Sequence, residues 1–186
     1  MAVTYHVAVD IQNLWHSTRA CFGQNYRVDY KKLVEFITNQ VVPQDEEVDV
    51  KYTAYIITSP NHDQSAFLNS LKNLDFLLKK RALRYDPIKR VAQNTNWDVG
   101  ITADAFAYME DYDEFILVSG DGDFYYMVNL LKEFDVDVSV ISFENSCNKL
   151  LAESASNIHY IDNECVYDPR ERWQKKQNSA ADSLSV

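Results

Sequence analysis

Glycine is the first shortage. The chain has only Gly23, Gly100, Gly120 and Gly122. A phosphate-cradling G-x-x-x-x-G-K-[ST] loop or a G-x-G-x-x-G dinucleotide fingerprint needs several glycines at fixed spacing, and neither can be assembled. Cysteine is scarce too. Cys21, Cys147 and Cys165 are odd in number and far apart, which supports neither a disulfide framework nor a zinc site. A reducing, cytoplasmic setting is expected. The four histidines, His6, His16, His62 and His159, show no metal-ligand spacing and read as surface or core residues. No Ser sits in a G-x-S-x-G turn, and no motif gives a Cys a His partner, which excludes the common nucleophile patterns. No hydrophobic run approaches a membrane span, and the polar start MAVTYH runs into a strand pattern, so neither membrane nor secretory segment is expected.

Positive charge is also short. Eighteen Lys and Arg face 28 Asp and Glu, a net charge of −10. Proteins that bind nucleic acid through its phosphates are usually basic, so such a role here needs a local cationic region. One exists: Lys79, Lys80, Arg81, Arg84, Lys89 and Arg90 gather six of the 18 basic residues within residues 79–90. It reads either as a solvated strand edge and loop or as a phosphate-binding strip.

What remains is a globular composition. The apolar fraction is 46%, with 12 Tyr and 9 Phe, and 186 residues suit one domain with a substantial core. Strand patterns over 3–10, 48–57, 76–85, 115–118, 136–143 and 158–161 alternate with helical patterns over 13–22, 30–38, 63–74, 97–109, 125–131 and 147–153. Residues 86–97 read as a polar loop. Such alternation predicts an α/β fold, a mainly parallel sheet with helices on both faces. The domain is expected over residues 1–165, and the polar residues 166–186 as a flexible C-terminal tail.

The most informative stretch is Ser119-Gly120-Asp121-Gly122-Asp123-Phe124, between an apolar strand and a helix. Its two carboxylates stand at the carboxyl end of a parallel strand, the edge where open α/β sheets bind ligands. Gathered acids there suit Mg²⁺ or Mn²⁺, hard cations that take oxygen ligands. The first strand ends in Asp10, which would share that rim; alternatively it caps the next helix. Asn13 follows as a cap or as a support for Asp10. Asp98 opens a helix, where an acid is favourable without function, or it reaches over the strand ends as a third ligand. Asp104 lies about 120° further around that helix, so the two should not both be ligands; Asp98 is preferred because it stands at the helix end nearest the loops. Asp121 is the better ligand of its pair, and Asp123 is either a ligand or a helix cap. Gly120 and Gly122 allow backbone angles and close approach that a side chain would block. Trp15, Trp97 and Trp173 offer rings for stacking on bases, although core or subunit-interface burial is the simpler reading of any one of them.

In order, Asp10-Ile11-Gln12-Asn13, Trp97-Asp98-Val99-Gly100-Ile101-Thr102-Ala103-Asp104 and Ser119 to Phe124 resemble the three motifs of NYN domains. These are PIN-like nuclease domains, and the LabA-like group looks closest. The resemblance covers roughly residues 3–162. It implies a Rossmann-like PIN-type fold, a Mg²⁺ or Mn²⁺ site and endoribonuclease action on RNA. The implied acidic positions are Asp10, Asp98, Asp121 and Asp123, supported by Asn13, Asp104 and Ser119. Two departures stand out. Thr95-Asn96-Trp97-Asp98 replaces the usual Lys-Gly-hydrophobic-Asp, which leaves Lys89 or Arg90 to supply the phosphate contact. Ala155-Ser156-Asn157 lacks the Asp that often follows Ala. A metal-dependent ribonuclease is the leading expectation; a non-catalytic module binding RNA or protein is the alternative, and a small phosphomonoesterase the third. Whether the chain forms a homo-oligomer or takes a protein partner stays open.

Overall fold

The computed structural model describes residues 2–44, 47–83, 85–86, 91–92 and 96–171. In chain order the elements are β1 (Val3–Asp10), α1 (Ile11–Phe22), β2 (Arg27–Val28), α2 (Tyr30–Phe36), β3 (Val48–Thr58), α3 (Ser65–Lys72), β4 (Leu77–Ala82), β5 (Tyr85–Asp86), β6 (Val91–Ala92), α4 (Asp98–Ala107), β7 (Glu114–Val118), α5 (Tyr125–Glu133), β8 (Asp137–Ser142), α6 (Lys149–Ser154), β9 (Asn157–Tyr160) and β10 (Val166–Tyr167).

β1 sits near the middle of a six-stranded sheet of order β4-β3-β1-β7-β8-β9. Every pairing in it is parallel. The chain winds outward from β1 to β4 and then restarts at β7 on the other side. The strand order therefore reverses between β1 and β7, which places a crevice at their carboxyl ends. Val9 pairs with Val118 in register, so Asp10 and the Ser119 turn leave the sheet side by side.

Two cores follow from the alternation of strand side chains. On one face Val7, Val9, Ile56, Ile116 and Val118 pack under Leu14, Leu33 and Leu71 of α1, α2 and α3. On the other, Ala8, Tyr55, Phe115 and Leu117 pack under Ile101, Leu131 and Leu151 of α4, α5 and α6. Phe115 to Val118 are all buried, as expected of a strand covered on both faces, whose sequence reads as an unbroken apolar run. Full burial of one such side chain contributes roughly 1.5–3 kcal/mol.

Several boundaries differ from the sequence reading. α2 ends at Phe36 and widens into a π turn over Ile37–Val41, which keeps Ile37 fully buried. The strand expected over 76–85 stops at Ala82. Tyr85–Asp86 instead pairs antiparallel with Val91–Ala92, inside the region read as a loop. Beyond residue 165, Val166–Tyr167 pairs antiparallel with Arg27–Val28, and buried Asp168 forms an ion pair with Arg170. Residues 172–186 lie outside the described residues. Among the described residues no helix is long and apolar enough to cross a membrane.

Candidate functional site

Asp10 is 4% exposed at the end of β1. Its carboxylate accepts from the Asn13 backbone N–H at 3.0 Å, capping α1, and from Ser119 Oγ at 3.5 Å. The capping role and the place on the rim thus belong to one residue. Asn13 Oδ1 accepts from the Gly120 N–H at 3.0 Å. This bond ties the first turn of α1 to the turn after β7, across a separation of 107 residues. Ser119, fully buried, also accepts from the Asp121 N–H at 3.3 Å through its hydroxyl. Asp121 Oδ1 in turn accepts from the Asp123 N–H at 3.1 Å, so Asp121 caps the short 3₁₀ turn Gly122–Phe124. α5 begins with no side-chain cap. Asp123, one of whose two readings was a cap, makes no capping bond there.

Both glycines of this turn have φ outside the left-handed region; Gly23 is the glycine with positive φ. What they supply is room. A Cβ on Gly120 would stand 2.5 Å from Ser142 Oγ and 2.6 Å from the Ser146 carbonyl oxygen. A Cβ on Gly122 would stand 2.5 Å from Asn148 Nδ2. Asn148 is a site residue that sequence reasoning missed. Its side chain caps α6 by accepting from Leu150 N–H at 2.9 Å, and its own N–H donates to the Gly120 carbonyl at 2.9 Å. An Asn just before a helical run was a legible cap signal; its packing against Gly122 had no local signal.

Asp98 arrives from the other direction, in the first turn of α4. One carboxylate oxygen each from Asp98, Asp121 and Asp123 lie within 4.8 Å of one another. Burial pushes Asp98 up to about 6, and the charges of Asp121, Asp10 and Asp123 add to it in that order. Asp10 is raised as well, first by burial and then by Asp121, against the backbone N–H groups of Asn13 and Gln12 that hold its charged form. Among the described residues, none of the ion pairs within 4 Å involves these four acids. Like charges crowded in this way favour protonation or a cation.

The start of α4 is fixed from several sides. Trp97 Nε1 donates to the Ile56 carbonyl at 3.0 Å, and the indole meets Tyr55 edge-on at 5.4 Å between ring centres. The same ring fills the space a Cβ on Gly100 would need. Asn96 Nδ2 donates to Asp98 Oδ2, and Arg81 holds the Asn96 carbonyl at 3.0 Å.

The remaining sequence-derived candidates separate. Asp104 stands away from the cluster, accepting from Tyr55 OH at 2.8 Å and from Lys79 Nζ at 2.6 Å. The charge of Lys79 is therefore matched within the fold, and its ammonium also lies 5.1 Å from the Tyr108 ring centre. Lys80 and Arg81 are exposed on the edge strand β4, and successive strand residues point to opposite faces. Arg84, Lys89 and Arg90 lie outside the described residues, as does Trp173. Trp15 is 42% exposed with the Arg19 guanidinium 4.3 Å from its ring centre, whereas Trp97 is half-buried.

Comparison with known proteins gives the same outline. The model of the NYN domain matches residues 5–162. The Low amplitude and bright protein LabA of Synechococcus elongatus is 26% identical over 160 residues, spanning 84% of this chain and 81% of that protein. The crystal structure of a protein of unknown function from Vibrio parahaemolyticus superposes with a TM-score of 0.73 at 29% identity, covering 89% of this chain and 97% of that one.

Proposed function

The chain belongs to the NYN-domain family, a PIN-like nuclease family, and on that premise we propose that it is an endoribonuclease, hydrolysing RNA phosphodiester bonds with Mg²⁺ or Mn²⁺ at the acidic rim. The observation that carries this reading is the convergence of Asp98, Asp121 and Asp123 from two distant segments, with ligand oxygens within 4.8 Å of one another. The donor set fits a hard divalent cation. It is all oxygen and carries several like charges, and burial first, then the charges of Asp121, Asp10 and Asp123, disfavour the bare carboxylate of Asp98. Asp98, Asp121 and Asp123 would hold the ion, with Asp10 beside them.

When bound, such an ion supplies an activated water and charge stabilisation at the leaving oxygen. The chain's own residues do the positioning. Asn13 fixes the Gly120 amide, and with it the path of the backbone into Asp121. Ser119 bridges Asp10 and the Asp121 N–H, so the two strand ends keep one geometry. Asn96 orients Asp98. Such supporting bonds typically change metal affinity or activity 10–100-fold. Exposed Arg81, which reaches the Asn96 carbonyl beside Asp98, is the candidate on β4 for phosphate contact, since Lys79 faces Asp104 and Lys80 points to the opposite face of the strand.

The test is turnover of single-stranded and structured RNA with Mn²⁺, Mg²⁺ or EDTA. Cleavage should need the cation, and Asp121→Asn should lose on the order of 100-fold or more, beyond what removal of a supporting residue costs, with its circular dichroism unchanged. An Asp121→Asn protein that cuts as well as wild type ends the assignment. The second reading, a non-catalytic module that binds RNA or protein, draws on the net charge of −10 and on Thr95 in place of the motif's Lys. It predicts RNA retained but uncut, with wild type and Asp121→Asn indistinguishable.

A further inference from the structure

The outer side of α4 and α5 is apolar where a solvated helix pair is expected to carry charge. Tyr126, Leu130 and Phe134 recur every four residues along α5 and its end, at 81%, 43% and 56% exposure. On α4, Val99 is 78% exposed, and Ala103 is open to solvent one turn later. Half-buried Phe106 meets Phe134 edge-on with ring centres 6.2 Å apart, which joins the two helices into one surface. The core beneath is already filled by the inward residues of the same helices, Ile101 and Ala105 from α4 and Met127 and Leu131 from α5. Packing within the chain therefore gives the outer row no role.

Val99, Tyr126, Leu130 and Phe134 together leave on the order of 400 Å² of apolar surface open, since a large side chain carries about 150–250 Å². Patches of that size mark contact sites. The amount is close to the apolar part of the share, about 800 Å², that each partner gives to a stable interface. Charge identifies the partner. In a two-fold dimer one patch meets itself, so a patch of one sign repels its own copy. A chain of net charge −10 offers few faces free of that repulsion. Between Val99 and Ala107 the one charged residue is Asp104, which pairs with Lys79 of β4, and none stands between Tyr125 and Leu131. We propose that the α4–α5 face is a two-fold interface between copies of this chain. Val99 follows Asp98 directly and Tyr126 follows Asp123 by three residues, so the interface reaches the edge of the acidic rim. The inference does not depend on the reaction proposed for that rim.

Sedimentation equilibrium of the full chain at micromolar concentration should give twice the chain mass. Tyr126→Glu and Leu130→Glu each place a carboxylate in the interface twice per dimer and should weaken association about 100-fold or more. Their circular dichroism should match wild type, because both side chains are exposed. Leu77→Glu and Tyr160→Glu, exposed on the edge strands β4 and β9, should leave the dimer intact. Hydrogen exchange of the wild type needs no variant: amides of α4 and α5 should gain protection from dilute to concentrated protein, and those of β4 and β9 should not. A monomer at every concentration assigns the face to a different protein and overturns the proposal. So does a dimer that an edge-strand variant breaks and Tyr126→Glu leaves whole, or protection gained at β4 or β9 in place of α4 and α5.

Discussion

Asp98 and Asp104 stand six residues apart on the same helix, and their surroundings are opposite. Asp98 faces Asp121, Asp10 and Asp123, with an Asn amide as its polar partner, and its proton is held up to about 6. Asp104 faces the Lys79 ammonium and the Tyr55 hydroxyl, both within 2.8 Å. The roughly 120° between them around the helix axis turns one toward the crevice at the strand ends and the other toward β3 and β4. A carboxylate placed for stability is surrounded by donors. Asp98 stands among other carboxylates instead, where a cation would relieve the repulsion. Within one helix, α4 thus carries an acid matched by donors and an acid crowded by its own kind.

The largest way to break this contrast is to add the cation. Mn²⁺ at about 100 times its dissociation constant should stabilise the protein by about 2.7 kcal/mol, a rise in Tm of roughly 5–10 °C for a chain of this size. Asp121→Asn and Asp98→Asn should abolish most of that rise, while Asp104→Asn should keep it. Calorimetric scans of the three variants, with Mn²⁺ and with EDTA, decide the matter; an equal response in all three would erase the distinction between the acids.

Next in size is the structural member of the pair. Asp104→Ala leaves partly buried Lys79 and fully buried Tyr55 without their acceptor, a loss of about 2–3 kcal/mol that urea denaturation should register with or without Mn²⁺. A loss confined to the metal-loaded protein would move Asp104 into the cation site.

A smaller effect separates the two by pH. Because Asp98 is raised in the native state, the folded chain binds more protons than the unfolded chain between about pH 4 and 6. The contribution of Asp98 to the stability of the metal-free protein therefore falls as pH rises through that window. Asp10 and Glu114, also raised, act in the same direction, whereas His6 and His159, lowered by burial, act in the opposite one. Above about pH 6 the Asp98 penalty is complete. Asp98→Asn should remove that contribution and, in EDTA at pH 7, raise stability by about 1 kcal/mol after allowance for solvent screening. Metal-free urea titrations of both proteins at pH 4, 5, 6 and 7 measure it, and a difference between variant and wild type that does not grow with pH contradicts the crowded cluster.

Much of this was legible before any coordinates. Strand β1 was read to its exact ends, because Val3 to Asp10 alternates and then stops at a capping acid. The sheet's parallel character followed from strands separated by helices, and the shared rim of Asp10 and Asp121 from that character. That Asp98 and Asp104 would not face the same place came from helical geometry, and the preference for Asp98 from its position at the helix end nearest the loops. What stayed hidden needed contacts between distant segments. Lys79 sits in a basic cluster when read along the chain, yet pairs with an acid 25 residues away. Asn148 and the crowding around Gly120 depend on the loop after β8 folding over the turn after β7, and no local pattern encodes that approach.

The scarcity of glycine sharpens the comparison with a third use of aspartate. Asp75 and Asp135 have φ of 61° and 59°, the left-handed conformation that ends a helix. Both follow the same pattern. Asp75 N–H bonds to the Lys72 carbonyl and Phe76 N–H to Leu71; Asp135 N–H bonds to Lys132 and Val136 N–H to Leu131. Glycine most often fills this place because an L side chain crowds the following carbonyl there. Both aspartates are exposed. Asp75→Gly and Asp135→Gly should each stabilise the protein by about 0.5–1 kcal/mol, the relief of that crowding exceeding the added chain entropy of the unfolded state. The gain should not depend on Mn²⁺. A gain that vanished with added cation would mean that these helix ends, far from the strand tips in sequence, are coupled to the acidic cluster after all.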